Sequence, residues 1–303
     1  MEHLRIITKN HSNPAYGGAL VGARAVAQRM GCTIDHCAPQ LADSPEEQSA
    51  LVDQAIADRP DAIVLLPAHA TGVNAAIARI NAAGIPLILF VSEPTAGRWV
   101  GFIGSDDARM AASLAHSLLP RLRADAHVAI IDGHPGSITT PQRRRGFEQA
   151  LAQHPGMQLV DVVSGDYQHA PGRQAALTLL SRHPRLDAIL AANDLMAMGA
   201  LEAFAETGRH MPMVSINGTP DAISAVRAGV LAATASFNTH RFGCLAVEMA
   251  LRHLRGQRVP HRLDLAPDII DAANAAEWDC PYEQRPCPDW DQVVAGQAEP
   301  LAA

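Results

Sequence analysis

Short apolar runs that alternate with longer helical patterns set the strongest limit on what this chain can become. Strand-like runs fall at 4–8, 33–37, 62–66, 86–90, 100–103, 128–132, 158–163, 188–191, 213–216 and 232–236. Between most of them lie stretches with apolar residues three and four apart, as at 19–30, 48–57, 73–82, 108–122 and 173–180. This rhythm predicts parallel sheets covered by helices on both faces. Strands buried on both sides need not alternate, and Ala-Ile-Val-Leu-Leu at 62–66 is apolar throughout.

The rhythm runs twice. One series ends near Ile103 and a second begins near Val128. Both contain one phrase, Arg59-Pro60-Asp61-Ala62-Ile63 and Arg185-Leu186-Asp187-Ala188-Ile189. The repeat predicts two similar lobes, each a doubly wound sheet. The helical pattern at 243–254 and the run at 263–271 are placed to return the chain to the first lobe and then the second. From Glu277 the composition changes, and the proline-rich stretch 279–288 suits neither a long helix nor a central strand. It reads as a draped tail whose end, 296–300, frays.

A length of 303 residues suits two domains, and 48% apolar residues exclude a largely disordered chain. The net charge is −7 and Lys9 is the sole lysine, so a nucleic-acid partner is not expected. No run of 18 uncharged apolar residues exists, so neither is membrane insertion. The N-terminus enters strand-like sequence at once, as in a cytoplasmic protein or an exported one whose signal has been removed. Five cysteines make no disulfide framework, although a Cys280–Cys287 bridge is open. Cys32, His36 and Cys37 hint at a metal but lack a second ligand pair, so no metal site and no cofactor are expected.

In an open α/β sheet, ligands bind beyond the carboxyl ends of strands. The segments found there are 10–16, Pro67-Ala68-His69, Val91-Ser92-Glu93, 133–137, Asp166-Tyr167, Asn193-Asp194 and Asn217-Gly218-Thr219-Pro220-Asp221. Rings cover the C–H faces of a sugar, while amides, hydroxyls and carboxylates match its hydroxyls. Each residue also has a structural explanation: Asn193 can cap a helix, and Asn217-Gly218 can simply turn. Catalytic patterns are missing. There is no Gly-x-x-x-x-Gly-Lys-Ser/Thr loop, no Gly-x-Ser-x-Gly elbow and no dinucleotide fingerprint. Of the run Arg143-Arg144-Arg145, at least one or two should be solvated.

Several phrases resemble a known family, the type I periplasmic binding proteins of the ribose-binding kind that serve ABC transporters. They include Asn13-Pro14-Ala15-Tyr16, Gly104-Ser105-Asp106-Asp107, Arg143 with Gly146-Phe147, 192–200, Asn217-Gly218-Thr219-Pro220-Asp221 and 229–234. The resemblance extends to about Asp271. It implies an α/β fold of two doubly wound parallel-sheet lobes joined by three crossover hinges near Gly104, Phe237 and Asp264. The implied lobes are 1–104 plus 237–264 and 105–236 plus 265–281, with a tail at 282–303. It also implies a ligand held between the lobes, hinge closure, a permease partner, a periplasmic location and a monomer, with no enzymatic activity. The candidate ligand-binding residues are Asn13, Tyr16, His69, Phe90, Ser92, Asp107, Thr140, Pro141, Tyr167, Asn193, Asn217 and Phe237. Ribose binders carry an Asp–Arg pair where this chain has Val91-Ser92, an arginine at Pro141 and an aspartate at Asn217. The departures point to a neutral sugar or sugar alcohol other than ribose. A ligand-sensing core of a regulator or receptor is the alternative, without a DNA-binding domain because the chain begins at its first strand. A nicotinamide-dependent enzyme is a third class.

Overall fold

The computed structural model describes residues 1–297. In chain order, the first elements are β1 (His3–Ile7), α1 (Pro14–Met30), β2 (Thr33–Cys37), α2 (Pro45–Asp58) and β3 (Ala62–Leu65). There follow α3 (Asn74–Ala82), β4 (Leu87–Phe90), β5 (Gly101–Gly104), α4 (Asp107–Leu118), β6 (His127–Asp132) and α5 (Thr139–Leu151). Then come β7 (Gln158–Ser164), α6 (His169–Arg182), β8 (Ala188–Ala191), α7 (Asp194–Thr207), β9 (Met213–Ile216) and α8 (Pro220–Arg227). The last described elements are β10 (Ala233–Ser236), α9 (Thr239–Leu254), β11 (Arg262–Asp264), β12 (Asp268–Asp271), α10 (Ala275–Trp278) and α11 (Trp290–Gly296). None of these helices is long and apolar enough to cross a membrane.

Two compact units divide the chain. Unit 1 comprises 1–105, 239–265 and 281 onward, and unit 2 comprises 106–238 and 266–280. The chain therefore passes between units a fourth time, after Cys280. The segment expected as a separate tail groups with unit 1 through its described residues. Residues 298–300 of the end expected to fray lie outside the described residues. Gly296 closes α11, and the Gln297 amide bonds both the N–H and the C=O of Asp264.

Each unit is built on a six-stranded sheet. The orders are β11-β5-β4-β3-β1-β2 and β12-β10-β9-β8-β6-β7, the same winding twice. All pairs are parallel except β10 with β12. The repeated phrase has a physical cause. The Asp61 carboxylate accepts from the His3 N–H (2.7 Å), and the Asp61 N–H donates to the His3 carbonyl (2.8 Å). In unit 2, Asp187 treats His127 identically, at 2.8 and 2.9 Å. Each aspartate thus sets the register of the central pair, Leu4 beside Ala62 and Val128 beside Ala188.

The central strands β3, β4, β8 and β9 are buried at every residue, which explains their unbroken apolar runs. In unit 1, Ile7, Ile63, Leu65, Leu87 and Leu89 pack with Val52, Ile77 and Ile80 of the covering helices. On the other face α1 and α9 touch backbone to backbone. A Cβ on Gly22 would overlap the His240 carbonyl, and one on Gly243 would overlap the Ala19 carbonyl. In unit 2, Gly199 of α7 meets the His169 carbonyl of α6 in the same way.

Candidate functional site

Strand order reverses about β1 and β3 in unit 1 and about β6 and β8 in unit 2. The loops leaving these strands flank each sheet's switch point, the place where open α/β sheets bind ligands. In unit 1, Asn13 follows β1. Its Oδ1 accepts from the Ala15 N–H (3.0 Å) and caps α1, and Pro14 takes the first helical position. That cap makes Tyr16 helical and places it 7% exposed on α1. His69 follows β3, and its Nδ1 accepts from the N–H groups of Thr71 (3.1 Å) and Gly72 (3.0 Å). Phe90 is 1% exposed, within the core at the end of β4. Ser92 is 2% exposed, and its Oγ has no hydrogen-bond partner among the described residues.

The charges of this loop cluster are matched internally. Buried Lys9 lies 3.8 Å from Oδ1 of buried Asp43, which also accepts from Asn10 Nδ2 at 2.9 Å. Nearby, Thr8 Oγ1 meets His36 Nε2 at 2.8 Å, and the His11 ring stands edge-on to that of His36. Burial, then the positive neighbours His11 and Arg24, lower the His36 pKa from an ordinary 6.5 to about 4. The unfolded chain therefore takes up a proton before the folded one does. Unit 1 should hold its full share of this stability above about pH 6.5 and lose it as pH falls toward 4. Melting temperatures taken across that range should decline, and His36→Gln should flatten the decline. Parallel curves for both proteins would refute the assignment.

Unit 2 gathers more of the expected residues. Asp107 begins α4, and its Oδ1 accepts from Arg143 Nε at 2.6 Å; each side chain is 4% exposed. Arg143 also donates from Nη1 to the Ala192 carbonyl (2.7 Å). Its guanidinium lies 5.7 Å from the ring centres of both Tyr167 and Phe237. The Tyr167 hydroxyl meets Thr139 Oγ1 (2.9 Å) and Thr140 Oγ1 (3.1 Å), and Thr140 also donates to the His134 carbonyl. Asn193 caps α7 by accepting from the Met196 N–H (2.9 Å), and its Nδ2 donates to the Tyr167 carbonyl (3.1 Å). Asp107, Thr140, Tyr167, Asn193 and Phe237 thus form one connected group around Arg143. Asn217 is buried at the end of β9. Pro141 stands apart, exposed on α5.

Arg143 is the residue missing from the expected set. The arginine run hid it, because Arg144 and Arg145 are indeed exposed and only Arg143 turns inward. Backbone strain is the second feature the sequence did not display. Val91 (φ 64°), Asp166 (φ 51°), Tyr167 (φ 59°), Asn217 (φ 143°) and Asn238 (φ 54°) adopt left-handed backbone. All five lie just beyond the carboxyl ends of strands. Such strain costs about 1–3 kcal/mol per residue and clusters at ligand clamps. For β-branched Val91 it is hardest to accommodate.

Deep beneath this group, fully buried Asp194 accepts from Ser215 Oγ, Thr234 Oγ1, and the N–H and hydroxyl of Thr219. Burial nonetheless pushes its carboxyl above the usual range. This network clamps the ends of β9 and β10. Cys32, His36 and Cys37 do not gather as metal ligands. The cluster of that kind among the described residues is His240, Cys244 and Cys287 in unit 1.

Comparison with known proteins bears on the family and the fold. The family model described as periplasmic binding protein domain matches residues 5–258. The ribose import binding protein RbsB of Bacillus subtilis is 27% identical over 248 residues, 82% of this chain and 80% of the relative. The D-apiose import binding protein of Paraburkholderia graminis is 28% identical over 280 residues, 91% of this chain and 89% of the relative. Among solved structures, an ABC transporter solute-binding protein of Mycobacterium smegmatis with bound glycerol superposes with a TM-score of 0.85. It is 26% identical, and the match covers 91% of this chain and 96% of that one. A solute-binding protein of Actinobacillus succinogenes with bound D-allose gives 0.86 at 24% identity, over 91% and 100% of the chains, and supports the fold.

Proposed function

The chain belongs to the periplasmic binding protein domain family, and from that premise we propose that it is the sugar-binding component of an ABC importer. It captures a neutral sugar or sugar alcohol and releases it unchanged to a membrane permease. The relatives carry the names of import binding proteins for ribose and apiose, and one is a D-allose-binding periplasmic protein. A periplasmic monomer is the matching expectation.

One observation supports a neutral ligand above all. The buried cations Lys9, after β1, and Arg143, on α5, already face buried carboxylates of their own unit, Asp43 and Asp107. A charged ligand would upset that balance, whereas hydroxyls ask only for donors and acceptors. Ser92, Asn193 and Asn217 offer these, and the rings of Tyr16, Tyr167 and Phe237 offer stacking faces. Ser92 and Pro141 replace arginines of ribose binders, which favours another pentose, a hexose or an alditol.

A thermal-shift screen of pentoses, hexoses and alditols, with sugar phosphates and sugar acids as charged controls, tests this reading. Neutral compounds should raise the melting temperature and charged ones should not. Preference for a charged compound or a nucleotide would overturn it. Ser92→Ala sharpens the test. Removing a buried hydroxyl that lacks a partner should leave the ligand-free protein as stable or slightly more so. The same change should weaken the ligand by at least about tenfold, the value of one hydrogen bond to a buried group. Unchanged affinity by calorimetry would remove Ser92 from the site.

A further inference from the structure

The described part of the C-terminal segment is anchored along its length on unit 1. The Tyr282 ring lies against Gly18 of α1, where even a methyl group would collide with it. The Arg285 guanidinium lies over the Tyr282 ring at 4.5 Å from its centre. Trp290 is 6% exposed and stacks with Arg252 of α9 at 5.0 Å. Between these anchors, Cys287 Sγ comes within 2.6 Å of Cys244 Sγ on α9. Cys244 is 1% exposed and Cys287 is half-buried. Two thiols that merely touch stay well outside that distance. Two thiolates sharing a tetrahedral zinc ion, each about 2.3 Å from it, would lie about 3.8 Å apart. The gap is thus too small for an ion, and His240 Nδ1, at 3.9 Å from Cys244 Sγ, is the only third ligand in reach among the described residues.

We propose that Cys244 and Cys287 form a disulfide that fastens the C-terminal segment to α9. The sequence left open a different bridge, between Cys280 and Cys287. The fold instead assigns Cys280 to unit 2 and Cys287 to unit 1. The oxidant is an external disulfide of the glutathione class. The thiolate of half-buried Cys287 attacks it, one external thiolate leaves, and a mixed disulfide forms. Cys244 then gives up its proton and displaces the second external thiolate, closing the protein S–S bond. Two electrons and two protons leave with the two external thiols. Burial, and then the neighbouring sulfur, push the Cys244 thiol up, which makes Cys287 the attacking partner. The bond closes a ring over a separation of 43 residues. That ring includes β11, the excursion into unit 2 that supplies β12 and α10, and the return. The excursion is then tied to unit 1 at both ends. This bond is independent of which ligand the protein takes.

Thiol counting with mass mapping tests the proposal. The full-length protein is equilibrated with glutathione disulfide, quenched with an alkylating agent under denaturing conditions and weighed before and after reduction. Three of the five cysteines should remain outside the protein–protein bond. A protease cutting after Glu283 separates Cys280 from Cys287, and the Cys287 fragment should emerge joined to that of Cys244. Reductant should lower the melting temperature of the wild type and leave that of Cys287→Ser unchanged. A Cys280–Cys287 fragment, alkylation of all five thiols, or zinc bound at one per chain with Cys244 and Cys287 both reduced would each overturn it. Cys287→Ser lies in a half-buried segment, so the comparison does not depend on substituting the core residue.

Discussion

Arg143→Ala should cost unit 2 about 3–5 kcal/mol and weaken sugar binding by about a hundredfold, the larger of the effects expected at the site. The stability loss follows from what is left behind. Asp107 is buried, and its Oδ1 is 2.6 Å from Arg143 Nε. Deleting the cation strands that carboxylate in a medium that solvates it poorly. The binding loss follows from position. Arg143 holds the Ala192 carbonyl immediately before Asn193, and its guanidinium sits beside the rings of Tyr167 and Phe237. Without it, the groups proposed to meet the sugar lose their common support. Arg143→Lys should rescue little, because an ammonium cannot reproduce the fork that serves Asp107 and Ala192 together. The double variant Asp107→Asn with Arg143→Met should recover part of the stability but not the affinity. Denaturant titration and calorimetry measure the two effects. A single variant with an unaltered midpoint would contradict the account.

Gly243→Val should destabilise unit 1 by at least about 3 kcal/mol, at or beyond the top of the usual range for overpacking. The added side chain would be driven into the Ala19 carbonyl, and no rotamer can retract a Cβ. The opposing Gly22 faces the His240 carbonyl, so neither helix can yield without moving the other. Gly17→Ala is the control. It is exposed on the same helix α1, has nothing near its Cβ, and should gain about 0.5–1 kcal/mol from helix propensity. Midpoints in denaturant that move in opposite directions for the two variants would establish close packing as the cause. Equal shifts would rule it out.

The sheets were legible because their central strands are buried on both faces and so read as unbroken apolar runs. The doubling was legible because Asp61 and Asp187 do the same work at the same register. What escaped depended on tertiary context. The segment 13–16 reads as a loop from its asparagine and proline, yet Asn13 caps α1 and Tyr16 is helical. The run 263–271 conceals two strands, β11 and β12, in different sheets. Three adjacent arginines look alike on paper. With 3.6 residues per turn only one can point inward, and the packing of α4 against α5 selects Arg143. The charge cancellation within each unit and the left-handed residues after the strands leave no mark on local composition. Cys287 finds Cys244 only because the last segment folds back, which no spacing rule encodes.

The order in which unit 1 receives its parts bears on how the protein is made. Its first five strands leave the ribosome early, but α9, the edge strand β11 and the stacking Trp290 emerge only after all but the closing pieces of unit 2. Until then the apolar face destined for α9 has no cover. Unit 1 cannot be completed until synthesis is almost finished. Closing unit 1 therefore falls among the last steps in the assembly of the chain.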